Sequence, residues 1–176
     1  MKKFIKPIMV LAFAAVILLG MRFGLSASAA EAHQRAMEEI YRQLLPGSTN
    51  FTEEEYSGED TNITGVYKGN GGYIVETTTA GYVNDIVLLT GVRNDGSVAG
   101  MMVSRIEETL GLGQNAAKSE FLEQFLDVNR EVTVGVEIDA VTGATVTSKA
   151  VTKGINSAVA FVTGADVSSG ATEWEG

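Results

Sequence analysis

The sequence predicts an α+β domain, an antiparallel β-sheet with flanking helices, preceded by one N-terminal transmembrane or signal helix. Three observations lead there. Four segments between residues 63 and 104 are rich in Val, Ile, Thr and Tyr and are separated by Gly- and Asn-containing turns. Apolar stripes at helical spacing lie on both sides of that block. Residues 1–25 carry a basic start and then a long apolar run. With 176 residues, 45% of them hydrophobic, the chain has material for one domain with a real core. It has no cysteine, which excludes disulfides, thiolate zinc sites, iron–sulfur clusters, c-type haem and thiol nucleophiles together.

Met1–Lys6 is a basic n-region and Ile8–Met21 is an uninterrupted run of 14 apolar or glycine residues. Ala27-Ser28-Ala29 offers a small-residue cleavage site, while Ile8–Leu25 gives 18 residues, near the length of a membrane span. Both readings stand, and both send the rest of the chain across the membrane, since the lysines at the start hold the N-terminus in the cytoplasm. The expected location is therefore the cell membrane, with the domain on the extracytoplasmic side. Residues 1–30 form this anchor or signal segment, 31–47 a linker helix, 48–163 the domain and 164–176 a flexible acidic tail.

Glu31–Leu45 reads as an amphipathic helix with Ala36, Met37, Ile40, Tyr41, Leu44 and Leu45 on one stripe, stopped by Pro46-Gly47. Ser48–Asp60 is acidic and polar, a solvated face or loop. Strands are expected at Ile63–Lys68, Tyr73–Thr79, Asp85–Val92 and Ser97–Ser104, with Asp95-Gly96 supplying the positive φ values of a hairpin between the last two. Ala116–Leu126 looks helical, burying Phe121, Leu122, Phe125 and Leu126. Val132–Ile138 alternates as a further strand, and Val146–Thr163 closes the domain as a helix with Val151, Ile155, Ala158, Val159 and Val162 inward.

Residues 1–30 hold Lys2, Lys3, Lys6 and Arg22 and no acid, so the net charge of −9 leaves −13 on residues 31–176. An acidic body repels phosphate backbones, and no nucleic-acid partner is expected. His33 is the single histidine and sits in the linker helix, which leaves little from which to build a catalytic triad or a histidine metal site. Glu107 and Glu108 are adjacent and point apart, unlike a glycosidase pair. Two segments stand out. Asp139-Ala140-Val141-Thr142-Gly143-Ala144-Thr145-Val146-Thr147-Ser148 leads into the last helix, with Thr147 or Ser148 as a candidate N-cap and free first-turn N–H groups that favour a phosphate. A plain capping loop explains it as well. Glu108-Thr109-Leu110-Gly111-Leu112-Gly113 has two glycines that let a backbone pass close to a flat ligand, and a strand-to-helix turn is the alternative.

Together these residues resemble the FMN-binding domain of the Rnf electron-transport complex G subunit and of the C subunit of the sodium-translocating NADH:quinone reductase, over most of residues 31–162. The core of the likeness is that family's flavinylation motif, an Asp, two variable residues, Ser or Thr, then Gly-Ala-Thr, which reads here Asp139-Ala140-Val141-Thr142-Gly143-Ala144-Thr145. The family's Glu-Thr-Pro-Gly-Leu-Gly appears as Glu108–Gly113 with Leu110 in place of the proline. The resemblance implies FMN joined by a phosphoester to the Thr145 hydroxyl, attached by a separate flavin transferase. It places Asp139, Thr142, Gly143, Ala144, Thr147, Ser148, Glu108, Thr109, Leu110 and Gly111 around the cofactor, with Asp139 expected to orient the threonine for the transferase. It implies an electron-carrier subunit of an ion-translocating, membrane-bound Rnf-type complex, with that complex's other subunits as partners and no independent substrate chemistry. A stand-alone extracytoplasmic flavin carrier and a non-redox binding module are the alternatives.

Overall fold

A computed structural model describes residues 31–165. The expected N-terminal membrane or signal helix, and the tail beyond Ala165, lie outside the described residues. Among those described, no helix is long and apolar enough to cross a membrane. The chain divides into two compact units, one ending at Ile40 and the other starting at Tyr41. Helix α1 (residues 31–44) runs through that boundary. Its first turns are mostly exposed and carry an i,i+4 pair between Glu31 and Arg35.

The second unit is built on an antiparallel five-stranded meander in the order β1-β2-β3-β4-β5. The strands are β1 (Thr52–Glu54), β2 (Ile63–Gly69), β3 (Gly72–Ala80), β4 (Asp85–Arg93) and β5 (Val98–Arg105). The four expected strands are present, and β1 is an addition inside the segment read as a polar loop. It is a three-residue edge strand whose Thr52, Glu53 and Glu54 face Lys68, Tyr67 and Val66. The β4–β5 hairpin closes with a single positive φ, at Gly96 (84°), where the Gly96 N–H donates to Arg93 C=O and Arg93 N–H to Ser97 C=O.

Alternation along the strands gives the sheet two apolar faces. One face, with Val75, Ile86, Leu88 and Val92, packs under α3 (Thr145–Thr163), which buries Val151, Ile155, Ala158 and Val159. Burying each Val or Ile there contributes about 1.5–3 kcal/mol relative to exposure. The other face takes Tyr41, Leu44 and Leu45 at the end of α1; Gly91 and Gly100 allow this approach, since a Cβ at Gly91 would lie 2.3 Å from the Leu44 carbonyl oxygen.

Two expectations need correction. The helix over 116–126 is broken into a 3-10 turn at Gly113–Ala117, one turn of α2 (Ser119–Leu122) and a second 3-10 turn at Glu123–Phe125, because Lys118 adopts an extended conformation with ψ 152°. Phe121, Leu122 and Phe125 are buried as expected, but Leu126 follows in extended backbone and is 45% exposed. Val132–Ile138 is not a strand. Gly135 at φ +88° turns the chain, its N–H donating to the Ile138 carbonyl at 2.7 Å. Val132 and Ile138 enter the core while Val136 is left 78% exposed.

Candidate functional site

The loop before α3 is shaped by its own sequence. Gly143 takes φ +74°, a value that a residue with a Cβ adopts reluctantly, and the Ala144 N–H closes a turn on the Val141 carbonyl at 2.9 Å. Helix α3 then starts at Thr145 with Ala144 as the N-cap residue and no side-chain cap. The expected cap at Thr147 or Ser148 is therefore displaced into the first turn, where both are buried. Thr145 is exposed, and its hydroxyl bonds to no described residue. Ser148 N–H makes the bond to the Ala144 carbonyl, so the N–H groups of Val146 and Thr147 before it have no intrahelical acceptor.

Thr145 stands at the edge of an open cleft of about 450 Å³, lined by Tyr82, Glu108, Thr109, Leu112, Gly113, Gly143, Ala144, Thr145, Val146 and Thr147. Glu108 holds its walls together. Its carboxylate is buried, accepting from the Thr147 hydroxyl at 2.9 Å, from Val83 N–H at 2.9 Å and from Asn84 N–H at 3.4 Å. One side chain thus ties the β3–β4 turn, its own loop and the first turn of α3. Space for it depends on two glycines: a Cβ at Gly81 would come within 2.4 Å of Oε1, and one at Gly113 within 2.9 Å of Oε2. Of the lining residues, Tyr82 is 70% exposed and Leu112 44%, which leaves two large hydrophobic side chains open to solvent.

A profile of the FMN-binding domain family matches residues 81–160. Among relatives, the chain is 35% identical over 147 residues to the G subunit of the ion-translocating oxidoreductase complex of Methanosarcina acetivorans, covering 76% of each chain. The chain belongs to this G-subunit family. It is 43% identical over 98 residues to the G subunit of the proton-translocating ferredoxin:NAD(+) oxidoreductase complex of Clostridium ljungdahlii. It is 37% identical over 105 residues to the G subunit of the Na(+)-translocating ferredoxin:NAD(+) oxidoreductase complex of Acetobacterium woodii. These two alignments cover 52% of this chain in each case, and 53% and 51% of the relatives, so the chain spans about half the length of those relatives.

The cleft suits FMN. Its volume is in the range of roughly 300–1,000 Å³ usual for small-molecule sites. Tyr82 and Leu112 supply apolar surface for a flat ring, and the first residues of a 19-residue helix line the same cleft. The residues singled out in the sequence are divided between this cleft and its surroundings. Glu108, Thr109, Gly143, Ala144, Thr145 and Thr147 line it. Gly111, Asp139 and Thr142 line a second, more open depression on the other side of the loop, together with Lys118 and Gln124. Leu110 lines neither and is 81% exposed; Ser148 is fully buried beneath the loop. Among the described residues no hydrogen bond joins Asp139 to Thr145. Its backbone is held by Gln124, and its side chain is exposed. Leu112, within the glycine loop that the sequence pointed to, also lines the cleft. Sequence reasoning did not name Tyr82 or Gln124 as site residues; the Gly81-Tyr82 pair before an apolar strand is the available signal for Tyr82.

Proposed function

We propose that this chain carries FMN covalently on Thr145 and relays electrons as the G subunit of a membrane-bound, ion-translocating complex of the Rnf type. The observation that carries the reading is the exposed Thr145 hydroxyl, which the Asp139–Thr145 motif places as the first residue of α3 at the lip of the cleft. A phosphate esterified to Thr145 keeps a negative charge, and the positive end of the α3 dipole with its unpaired first-turn N–H groups favours an anion there. No lysine or arginine lines the cleft, so backbone dipoles supply this stabilisation in an otherwise acidic protein.

FMN bound there would supply the redox chemistry, which spares the protein any need for thiol, metal or general base. The chain's own residues bind and orient. Glu108 fixes the cleft walls, Gly143 keeps the loop low, and Tyr82 and Leu112 flank the opening through which a partner reaches the ring. Covalent attachment suits a domain held outside the cytoplasm by residues 1–30, where a dissociated cofactor is lost. The attachment step belongs to a flavin transferase, and the electron donor and acceptor are neighbouring subunits of the complex. Co-expression with a flavin transferase followed by denaturing electrophoresis tests the reading: a flavin-fluorescent band is expected for the wild type and none for Thr145→Ala. Equal fluorescence in both would overturn Thr145 as the attachment site.

A further inference from the structure

Two side chains hold the loop before Thr145 from behind, and neither lines the cleft. Ser148 is fully buried. Its Oγ accepts the Val141 N–H at 3.0 Å and donates to the Ala144 carbonyl at 2.9 Å, so one hydroxyl spans the turn that ends immediately before Thr145. Gln124 engages the other end of the motif. Its Oε1 accepts the Asp139 N–H at 2.8 Å and its Nε2 donates to the Asp139 carbonyl at 3.3 Å, pairing with one backbone residue much as a neighbouring strand would. Between these two pins lie Thr142 and Gly143, both exposed.

We propose that Ser148 and Gln124 are positioning residues for flavin transfer, presetting the Asp139–Ala144 loop so that the Thr145 hydroxyl meets the transferase in one geometry. This rests on the reading of Thr145 as the attachment site. In the transfer, Thr145 Oγ attacks the phosphorus of an activated donor in which the FMN phosphate is joined by an anhydride bond to a second nucleotide. The Oγ–P bond forms as the anhydride P–O bond breaks. The second nucleotide's phosphate leaves with the electron pair, and the hydroxyl proton passes to a base of the transferase. No described side chain bonds the Thr145 hydroxyl, so the acceptor's contribution is placement. A displacement of about 1 Å in such a step can cost about a hundredfold in rate.

The test is the initial rate of flavin labelling of the full chain by a flavin transferase with saturating donor, beside the thermal midpoint of each unlabelled variant. Ser148→Ala and Gln124→Met are expected to label at least about tenfold more slowly at temperatures where both are folded. Ser148→Thr, which keeps the hydroxyl, is expected to recover most of the rate. Thr163→Ala removes a comparable bond, to the Val159 carbonyl, at the far end of α3 and should label as the wild type does. Gln124 is only half-buried, so Gln124→Met keeps the test open if Ser148→Ala does not fold. Wild-type labelling rates in Ser148→Ala or Gln124→Met, or an equal slowing in Thr163→Ala, would overturn the proposal. An unlabelled wild type would instead overturn the Thr145 reading itself, a result visible before any variant is made.

Discussion

Glu108 shows how a residue can matter to a cofactor cleft by what it holds in place. Three donors converge on its buried carboxylate from two other parts of the chain. Removing it leaves the buried Thr147 hydroxyl without its acceptor, which costs about 1–3 kcal/mol, while the N–H of Val83, a residue 56% exposed, turns to solvent. Glu108→Ala is accordingly expected to lower unfolding stability by roughly 1–3 kcal/mol in urea titration, with Glu108→Gln losing less because its amide oxygen still accepts. Unchanged stability in Glu108→Ala would show that solvent replaces the carboxylate. The sequence pointed to Glu108, Thr109 and the Gly143–Thr145 turn because glycines and hydroxyls at a helix start carry a recognisable pattern. It did not point to Gln124, because a lone glutamine in a helical stripe carries no sign that a backbone fifteen residues later will fold onto it. Ser148 was legible as important but not as to role. A serine near a helix start reads as a cap, and only the observed start at Thr145 turns it into a clamp facing inward.

The β2–β5 meander and α3 were legible because their patterns are long and their turns are marked by glycine. The short edge strand β1 was not, because Thr-Glu-Glu has no apolar alternation and its pairing comes from the backbone groups that β2 offers at its free edge, beside an exposed Glu54–Lys68 ion pair at 3.4 Å. Val132–Ile138 misled for the opposite reason. Its alternation is genuine, yet Gly135 turns it, Asp127 and Val128 already pair with Val98 on the outer edge of β5, and the Asn156 side chain takes both backbone groups of Val132. Tertiary partners overrode the local preference. The contact between the end of α1 and the sheet yields a direct prediction. A methyl at Gly91 would meet the Leu44 carbonyl oxygen and carbon, backbone atoms that cannot rotate away. Gly91→Ala is expected to lower stability by about 1–3 kcal/mol, the usual cost of overpacking, as a shift in the midpoint of denaturant unfolding. A neutral effect would mean that this helix end yields without loss.

Tyr41 links that packing to the pH response of the whole protein. Burial raises its phenol above the ordinary value, and the Tyr67 hydroxyl adds to the effect. Because the folded state holds the proton more tightly, the contribution is fully present below the unfolded pKa of about 10 and is lost as pH rises from there towards the folded value. The thermal midpoint is therefore expected to fall above about pH 10, and to fall less steeply in Tyr41→Phe; parallel curves for the two proteins would assign the alkaline loss elsewhere. The charge of −13 on residues 31–176 leaves an anion at the site to rely on local dipoles, which the start of α3 supplies at the cleft. Mass mapping of the peptide covering residues 139–149, from protein purified out of its own membranes, tests the central claim most directly. The account predicts a gain equal to FMN less one water, located on Thr145. An unmodified peptide from cells with an active flavin transferase would contradict it.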